Sequence, residues 1–463
     1  MLWETLSTAR DLGRLQDIAS VFIRYGFGDL VQRLGMGKAL ERAGRILHRR
    51  GAERVTRMNT PERLTSALQE LGPTFIKLGQ LLATRVDLFP PDWIAEFEKL
   101  QDRVPPVPFE DLRLQLEEDL GAPVEEIFPH LDQEPVAAAS LAQVHRAHLD
   151  DATEVILKVR RPEIRQMVEA DLRLLGRLAE IAEREVPDLR RYRPREVVRQ
   201  LALSMRRELD FTSECHSAER IAENFSDDPN IVIPKVYWQW TCERLNVQEY
   251  IDGIPGRDLK AVTEAGLDRK VLASRGAHAV LKMILEDRFY HADPHPGNLF
   301  YLPGNRLAIL DFGMVGRLSE SRCDQVAELM FGLLERRTGQ VVEVLMDWAG
   351  ESSLDTETMQ MDVEGLLDRY HGLPLRQLNF AAMLTDLTTL LRDHHLVLPS
   401  DLTLLFKAFI SLDGLGRMLD PDFEVVTEAT PYLRRVMLSR YTPDAIARRS
   451  WGALGDIFNI VSD

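Results

Sequence analysis

Asp293, Asn298 and Asp311 are the side chains of this sequence best placed to do chemistry. They lie in two short segments: His291-Ala292-Asp293-Pro294-His295-Pro296-Gly297-Asn298, then Asp311-Phe312-Gly313. The amide and carboxylate oxygens of Asn298 and Asp311 suit a hard dication. Asp293 is left as a carboxylate base. A dication, a base and a way to hold phosphates are most of what phosphoryl transfer asks of a protein. The apolar run Leu307-Ala308-Ile309-Leu310 reads as a short buried strand that delivers Asp311 to a fixed position.

The spacing of the first segment matches the H-R-D-x-x-x-x-N loop of kinases, with Ala292 in place of the arginine, and the second matches D-F-G. Either alone is a weak signal; both in order are strong. Upstream, Thr153-Glu154-Val155-Ile156-Leu157-Lys158-Val159 reads as the strand that carries a phosphate-binding lysine, a variant of V-A-I-K. By itself Lys158 is a solvated lysine near a strand end. Its place between a phosphate-loop candidate and the catalytic loop favours the functional reading. That candidate is Ala137-Ala138-Ala139-Ser140-Leu141-Ala142-Gln143-Val144, where Ala137, Ala139 and Ala142 occupy the glycine positions of G-x-G-x-x-G. Alanine removes the φ > 0 freedom and the close approach that glycine permits. The loop is therefore expected to hold nucleotide in a different pose, with the γ-phosphate poorly placed. The plain alternative is a small-residue turn packed in a core.

These motifs together resemble the UbiB-like (ADCK-type) atypical kinases linked to ubiquinone biosynthesis. Phe75-Ile76-Lys77-Leu78-Gly79-Gln80 resembles that family's K-x-G-Q signature, and Ala137-Ala138-Ala139-Ser140 its alanine-rich loop. Glu208-Leu209-Asp210 resembles its E-x-D element, and Glu214 falls where its lysine-pairing glutamate lies. The resemblance is dense over 60–320 and looser beyond. It implies an α+β, bilobal kinase-like fold with a helical N-terminal extension and a helical C-terminal lobe. It also implies ATP or ADP with Mg²⁺, the K-x-G-Q helix folded over the active site, and regulatory roles for Lys77, Gly79, Gln80, Glu208 and Asp210. A Lys77 pair with Glu208 or Asp210 is expected to act as a latch. From the residues alone, Gly72-Pro73 is a breaker. Leu71, Phe75, Leu78 and Leu82 make one apolar helical stripe, with Lys77 and Gln80 on other faces.

The chain has 463 residues, 45% hydrophobic, enough for one large or two ordinary domains, and its net charge of −16 argues against broad nucleic-acid binding. Basic residues still cluster, at Arg42, Arg45, His48, Arg49, Arg50, Arg54 and Arg57, and again at Arg184, Arg190, Arg191, Arg193 and Arg195. Such clusters suit anionic headgroups, although a solvated face explains the second equally well. Cys215, Cys242 and Cys323 have no metal-ligand spacing and read as free thiols. The start lacks a signal-peptide pattern, and no apolar run approaches the ~20 residues that span a bilayer. Bacterial relatives implied by the resemblance carry hydrophobic C-terminal helices. This sequence ends at Ile460-Val461-Ser462-Asp463 without them. The expected setting is therefore cytoplasmic and peripheral to the inner membrane of a bacterium, with no anchor in this chain.

The organisation follows. A helical extension is expected over 1–130, with Leu12, Leu15, Ile18, Ala19, Phe22 and Ile23 as an amphipathic stripe. An N-lobe with a helical insertion is expected over 131–255 and a helical C-lobe over 256–463. Within these, 163–225 reads as helical, Val232–Tyr250 as strands ending in a hinge, and Arg269–Tyr290 as a helix leading into the catalytic loop. Gln248, Glu249, Tyr250 and Ile251 would offer backbone groups to an adenine, with Glu249 and Ile251 as the nucleotide-binding pair. No A-P-E follows Asp311-Phe312-Gly313, so the segment with which a protein kinase holds its peptide is missing. A lipid, a quinone precursor or water suits the chain better as acceptor than a protein does, with a ubiquinone-biosynthesis complex as its setting. The assigned roles are Lys158 on the α- and β-phosphates, Glu214 orienting it, Asn298 and Asp311 on Mg²⁺, and Asp293 as base. Two alternatives stand beside this atypical kinase or ATPase. One is a nucleotide-gated switch that binds prenylated lipids or partners. The other is a small-molecule phosphotransferase, against which the K-x-G-Q helix and alanine loop argue.

Overall fold

The computed structural model describes residues 9–34, 58–100, 104–349, 356–370, 380–394, 396 and 398–439. The first arginine cluster, Arg42 to Arg57, and the C-terminal residues lie outside these. The chain forms two compact units, one from Met1–Glu219 and Pro234–Tyr250, the other from Arg220–Ile233 and Ile251–Asp463.

The first unit begins with α1 (Ala9–Arg24), α2 (Gly28–Arg33), α3 (Thr60–Leu71), α4 (Pro73–Ala83), α5 (Pro91–Phe97), α6 (Phe109–Leu120) and α7 (Val124–Ile127). The expected stripe of α1 is packed: Leu15, Ile18 and Ala19 are buried among Leu68, Leu71 and Phe75. Arg14 clamps the fully buried Asp171 with two hydrogen bonds and the Leu71 carbonyl with a third. Gly72, at φ +96°, separates α3 from α4. The stripe read as continuous from Leu71 therefore breaks: Leu71 ends α3, and α4 buries Thr74, Phe75, Ile76 and Gly79 while Leu78 and Leu82 are only half-buried.

The antiparallel sheet of this unit joins β1 (His130–Leu131), β3 (Ala142–His148), β4 (Glu154–Arg160) and β6 (Leu245–Glu249), with β2 (Ala137–Ala138) on β3. Alternation decides which side chains face which way. Val155, Leu157 and Val159 go into a core with Ala147, Leu245 and Val247, so Lys158 points to the opposite face. Between β4 and β6 come α8 (Ile164–Glu185), α9 (Pro194–Glu208) and α10 (Phe211–Asn224). Within Val232–Tyr250 the structure departs from an all-strand reading. Trp238–Trp240 is a 3-10 turn, and strand is confined to Val232 and β6. Of the second basic stretch, Arg190 hydrogen-bonds the Glu183 and Arg184 carbonyls at the end of α8.

In the second unit, α11 (Leu259–Glu264) and α12 (Arg269–Leu285) follow β5 (Ile231–Val232) and β7 (Ile254–Pro255). The helix expected to reach Tyr290 stops at Leu285 with its C-cap at Glu286; Arg288 then adopts φ +54° and Phe289–His291 is strand β8. β9 (Leu299–Leu302) and β10 (Arg306–Ile309) form a hairpin, with β5 parallel to β10 and β7 beside β9. β11 (Val315–Arg317) pairs with β8. Among the described residues six helices follow: α13 (Glu320–Glu335), α14 (Thr338–Ala349), α15 (Thr356–Arg369), α16 (Phe380–Asp393), α17 (Ser400–Leu419) and α18 (Val425–Ser439). Among the described residues no helix is long and apolar enough to cross a membrane.

Candidate active site

In the first unit, Lys158 reaches α10. Its ammonium donates to both carboxylate oxygens of Glu214, at 2.9 and 2.8 Å, and lies 5.4 Å from the centre of the Phe211 ring. The helix presents Glu214 because Phe211, Cys215, Ala218 and Ile221 are buried along one side of it. Asp210 fixes its start by accepting from the backbone N–H and the hydroxyl of Thr212. Burial pushes the thiol of the neighbouring Cys215 up to about 12, which disfavours the thiolate form.

The alanine segment is a tight β2–β3 hairpin. Ala137 pairs with Val144, Ala138 pairs with Gln143, and the Ala139 N–H donates to the Ala142 carbonyl at 2.8 Å. No residue from Ala137 to Ala142 has positive φ, so the turn avoids the conformations that glycine would open. Ala137 and Ala139 are exposed and Ser140 is buried. A brace that sequence reading missed is Arg161: its guanidinium donates to the Ala139 carbonyl at 2.9 Å and to the Pro105 carbonyl at 2.8 Å. Gln143 adds a reciprocal pair with the backbone of Val107.

On α4, Lys77 pairs with Glu208 at 2.5 Å, both side chains mostly buried. Gln80 donates to the Leu100 carbonyl at 3.4 Å. A Cβ on Gly79 would stand 2.1 Å from Leu100 Cδ1 and 3.1 Å from Leu68 Cδ1, so any larger residue there requires those leucine side chains to shift. At the end of β6 the N–H of Glu249 is already donated to Lys235 and that of Tyr250 to Glu154, so neither is open to a base. Ile251, buried, opens the next stretch of the second unit.

In the second unit, strand register brings the two motif segments together. β8 leads into the first segment and pairs with β11, which follows the second; between them the Ala292 N–H donates to the Met314 carbonyl at 2.9 Å. β9 starts one residue after Asn298, and its Leu299 pairs with Ile309, just upstream of Asp311; the Leu310 N–H donates to the Asn298 carbonyl at 3.0 Å. Asp311 accepts from the Gly313 N–H at 2.9 Å. The Asn298 amide N–H₂ reaches the Asp293 carbonyl at 3.4 Å, which leaves its oxygen for another partner. His291 is buried and its Nδ1 accepts the Asp293 N–H at 3.0 Å, so the neutral ring carries its proton on Nε2, which has no partner. Burial lowers its pKa to about 4. The buried Phe312 ring lies 5.8 Å from it. His295 holds the turn by accepting from the Gly297 N–H, and burial lowers its pKa as well.

Lys407, from α17, was not singled out in the sequence. Its Nζ lies 2.9 Å from Asp293 Oδ2. Its one visible signal is a lone charge in the run Leu402–Leu412.

Among the described residues no group of three or more His, Cys, Asp or Glu is gathered for a metal. Mg²⁺ fits such a donor set, since it is commonly held by one or two protein oxygens together with substrate phosphates and water. Asp311 and Asn298 supply oxygens of that kind.

A strand lysine gripped by a helix glutamate in one unit, and paired H-x-D-x-x-x-x-N and D-F-G segments in the other, define a kinase-like protein of atypical form. Comparison with known proteins agrees. Residues 99–345 match the ABC1 atypical kinase-like domain and residues 363–424 the UbiB helical domain. "Probable protein kinase UbiB" of Xylella fastidiosa (strain M12) is 34% identical over 92% of this chain and 78% of that protein. The protein of the same name from Pseudomonas aeruginosa (strain LESB58) is 35% identical over 94% and 83%, and that from Pseudomonas putida 36% over 84% and 73%. The solved complex of Rv3197 with erythromycin from Mycobacterium tuberculosis superposes with a TM-score of 0.55 at 21% identity, covering 79% of this chain and 94% of that one, which speaks to fold alone. The chain belongs to the ABC1/UbiB family of atypical kinases, and its fold is the mixed helix-and-sheet, kinase-like one expected from sequence.

Proposed function

We propose that this chain is an ATP-binding atypical kinase or ATPase that supports ubiquinone biosynthesis. It acts on or with a lipid or small-molecule ligand, a quinone precursor included, at the cytoplasmic face of the inner membrane and within a biosynthetic complex. Its parts are the helical extension (1–130), the N-lobe (131–255) and the C-lobe (256–463). The observation that carries the reading is the two-point grip of Glu214 on Lys158, because a lysine so fixed is pre-oriented for phosphate oxygens. Ala137, Ala138, Ala139 and Ser140 line the phosphates, Glu249 and Ile251 meet the base through the main-chain groups left to them, and Asp293 takes the acceptor's proton. Mg²⁺, bound by Asn298 and Asp311, supplies charge neutralisation. A protein acceptor is disfavoured because β11 begins two residues after Gly313 and α13 at Glu320, which leaves no peptide-holding segment between them.

The first experiment is thermal melting with Mg²⁺ plus ADP or ATP, with Asp311→Asn alongside. A ligand that binds only the folded state raises the midpoint. A Mg²⁺-dependent rise in the native chain, lost in Asp311→Asn while its nucleotide-free midpoint stays put, is the expected result; turnover in that variant should fall by about 1000-fold or more. Equal rises or equal turnover in the two proteins would remove Asp311 from the site.

The Lys77–Glu208 pair favours a second reading, a nucleotide-gated switch in which release of that pair frees the K-x-G-Q helix and Gln80, with Gly79 and Asp210 as parts of the latch. ATP turnover stimulated by lipid vesicles supports the enzyme. Nucleotide binding with no turnover under any lipid condition supports the switch.

A further inference from the structure

Lys407 sits where a lysine needs a reason to be. It is the only charge from Leu402 to Leu412 of α17, and Leu402, Leu405, Phe406, Ala408, Phe409 and Leu412 around it are buried. Such a side chain ordinarily extends its ammonium into water. At 32% exposed Lys407 has that option, yet its Nζ stands 2.9 Å from Asp293 Oδ2, itself in a side chain 25% exposed. The ammonium gives up that water for a single carboxylate oxygen in the catalytic-loop segment, so the contact orients Asp293 whatever it adds to stability.

The helix is also aimed. The Tyr290 hydroxyl donates to the Asp401 carbonyl at 3.0 Å, and Arg322 Nε donates to Asp401 Oδ2 at 3.2 Å. Tyr290 precedes His291 on β8, so the strand that enters the catalytic loop also pins the start of the helix that carries Lys407. Asp293 is then held at three points: its N–H donates to His291, its carbonyl accepts from the His295 N–H at 2.7 Å and from Asn298 at 3.4 Å, and Oδ2 pairs with Lys407. Oδ1 has no partner among the described residues.

We propose that Lys407 is a positioning residue for phosphoryl transfer, an inference that rests on the kinase or ATPase reading above. It fixes Oδ2 of Asp293 so that Oδ1 faces the acceptor. In the transfer the acceptor oxygen bonds to the γ-phosphorus and its proton passes to Oδ1. The bond from that phosphorus to the bridging oxygen breaks, and ADP leaves with the electron pair. Lys407 lies outside the kinase-like match at 99–345 and inside the helical one at 363–424. The helical segment thus contributes to the chemistry as well as to the packing.

The test uses the full chain with Mg-ATP, comparing the native protein with Lys407→Ala, Lys407→Arg and Asp293→Asn. Lys407→Ala is expected to lower kcat by about 10–100-fold, part of the 10²–10⁴ that a positioned base contributes. The KM for ATP and the rise in melting midpoint with Mg-ADP should stay near native. Lys407→Arg should recover most of the rate, and added methylammonium should recover part of the rate of Lys407→Ala. Native kcat in Lys407→Ala beside an inactive Asp293→Asn overturns the inference and leaves the kinase reading standing. So does a rate loss that comes with loss of the Mg-ADP rise and is not rescued by arginine or amine. Equal turnover in the native chain and Asp293→Asn, or none in either, defeats the kinase reading and this inference with it.

Discussion

Two ammonium–carboxylate pairs, one in each unit, use the same groups at almost the same distance and do opposite things. Lys158 donates to both oxygens of Glu214. Both oxygens of that carboxylate are engaged, so it acts as a strut and the lysine is the group it aims. Lys407 touches one oxygen of Asp293. There the lysine is the strut and the carboxylate keeps an open atom. The number of carboxylate oxygens engaged therefore tells which partner is held ready for substrate.

The comparison is broken most sharply in the first unit. Lys158→Ala removes the group that the pair exists to aim, and turnover is expected to fall by about 100-fold or more. Glu214→Gln keeps an oxygen to accept one hydrogen bond and removes only the charge and the second contact, so about tenfold is expected there. Steady-state rates on the two variants check the order. If Glu214→Gln proves as damaging as Lys158→Ala, the glutamate has a role of its own and the strut reading fails.

Acid tests the second unit. His291 is buried, its pKa lowered to about 4 by that burial. An unfolded histidine takes up a proton near 6.5. The folded chain resists that proton, so stability is fully present above about pH 6.5 and declines as pH falls toward 4. The loss is on the order of 3 kcal/mol across that window. Protonation would also cost Nδ1 its role as acceptor of the Asp293 N–H. Many carboxylates contribute to acid unfolding, so the informative quantity is a difference. The melting midpoint of His291→Gln should fall less steeply between pH 6.5 and 4 than that of the native chain. Parallel curves would mean that His291 does not carry the dependence.

The two pairs also differ in how far sequence exposed them. Lys158 and Glu214 sit on elements whose patterns are strong, an alternating strand and a helix with one buried side, and both were named from the residues and the resemblance. Asp293 was equally visible, but its partner was not. Lys407 belongs to no motif, and an apolar helix gives no sign of which distant loop it faces. The misread elements have local causes. Trp238–Trp240 holds residues common in strands yet turns. The helix before the catalytic loop ends at Leu285 without glycine or proline, and the left-handed residue that follows it, at φ +54°, is Arg288. The brace from Arg161 to Ala139 was hidden for the reason Lys407 was: a long side chain reaching a backbone carbonyl leaves no periodic trace.

The smallest expected effect comes from the alanine hairpin, where backbone rather than charge is at issue. Ala139 donates to Ala142 and accepts from Arg161, and its φ is negative. Ala139→Gly leaves both hydrogen bonds possible and adds only freedom, worth about 0.5–1 kcal/mol against an ordered turn. That is enough to shift the ratio of ADP to ATP affinity a few-fold toward ATP, because the added freedom lets the turn move to accommodate a γ-phosphate. Calorimetric titration of both nucleotides with Mg²⁺ reads the ratio directly. A ratio that stays fixed while both affinities weaken would mean glycine merely loosens the hairpin, and that alanine at this position does not select between the nucleotides. Because the Arg161 brace restrains the same carbonyl, Ala139→Gly combined with Arg161→Ala should shift the ratio further than Ala139→Gly alone. If the double variant shifts no further, the brace plays no part in nucleotide choice.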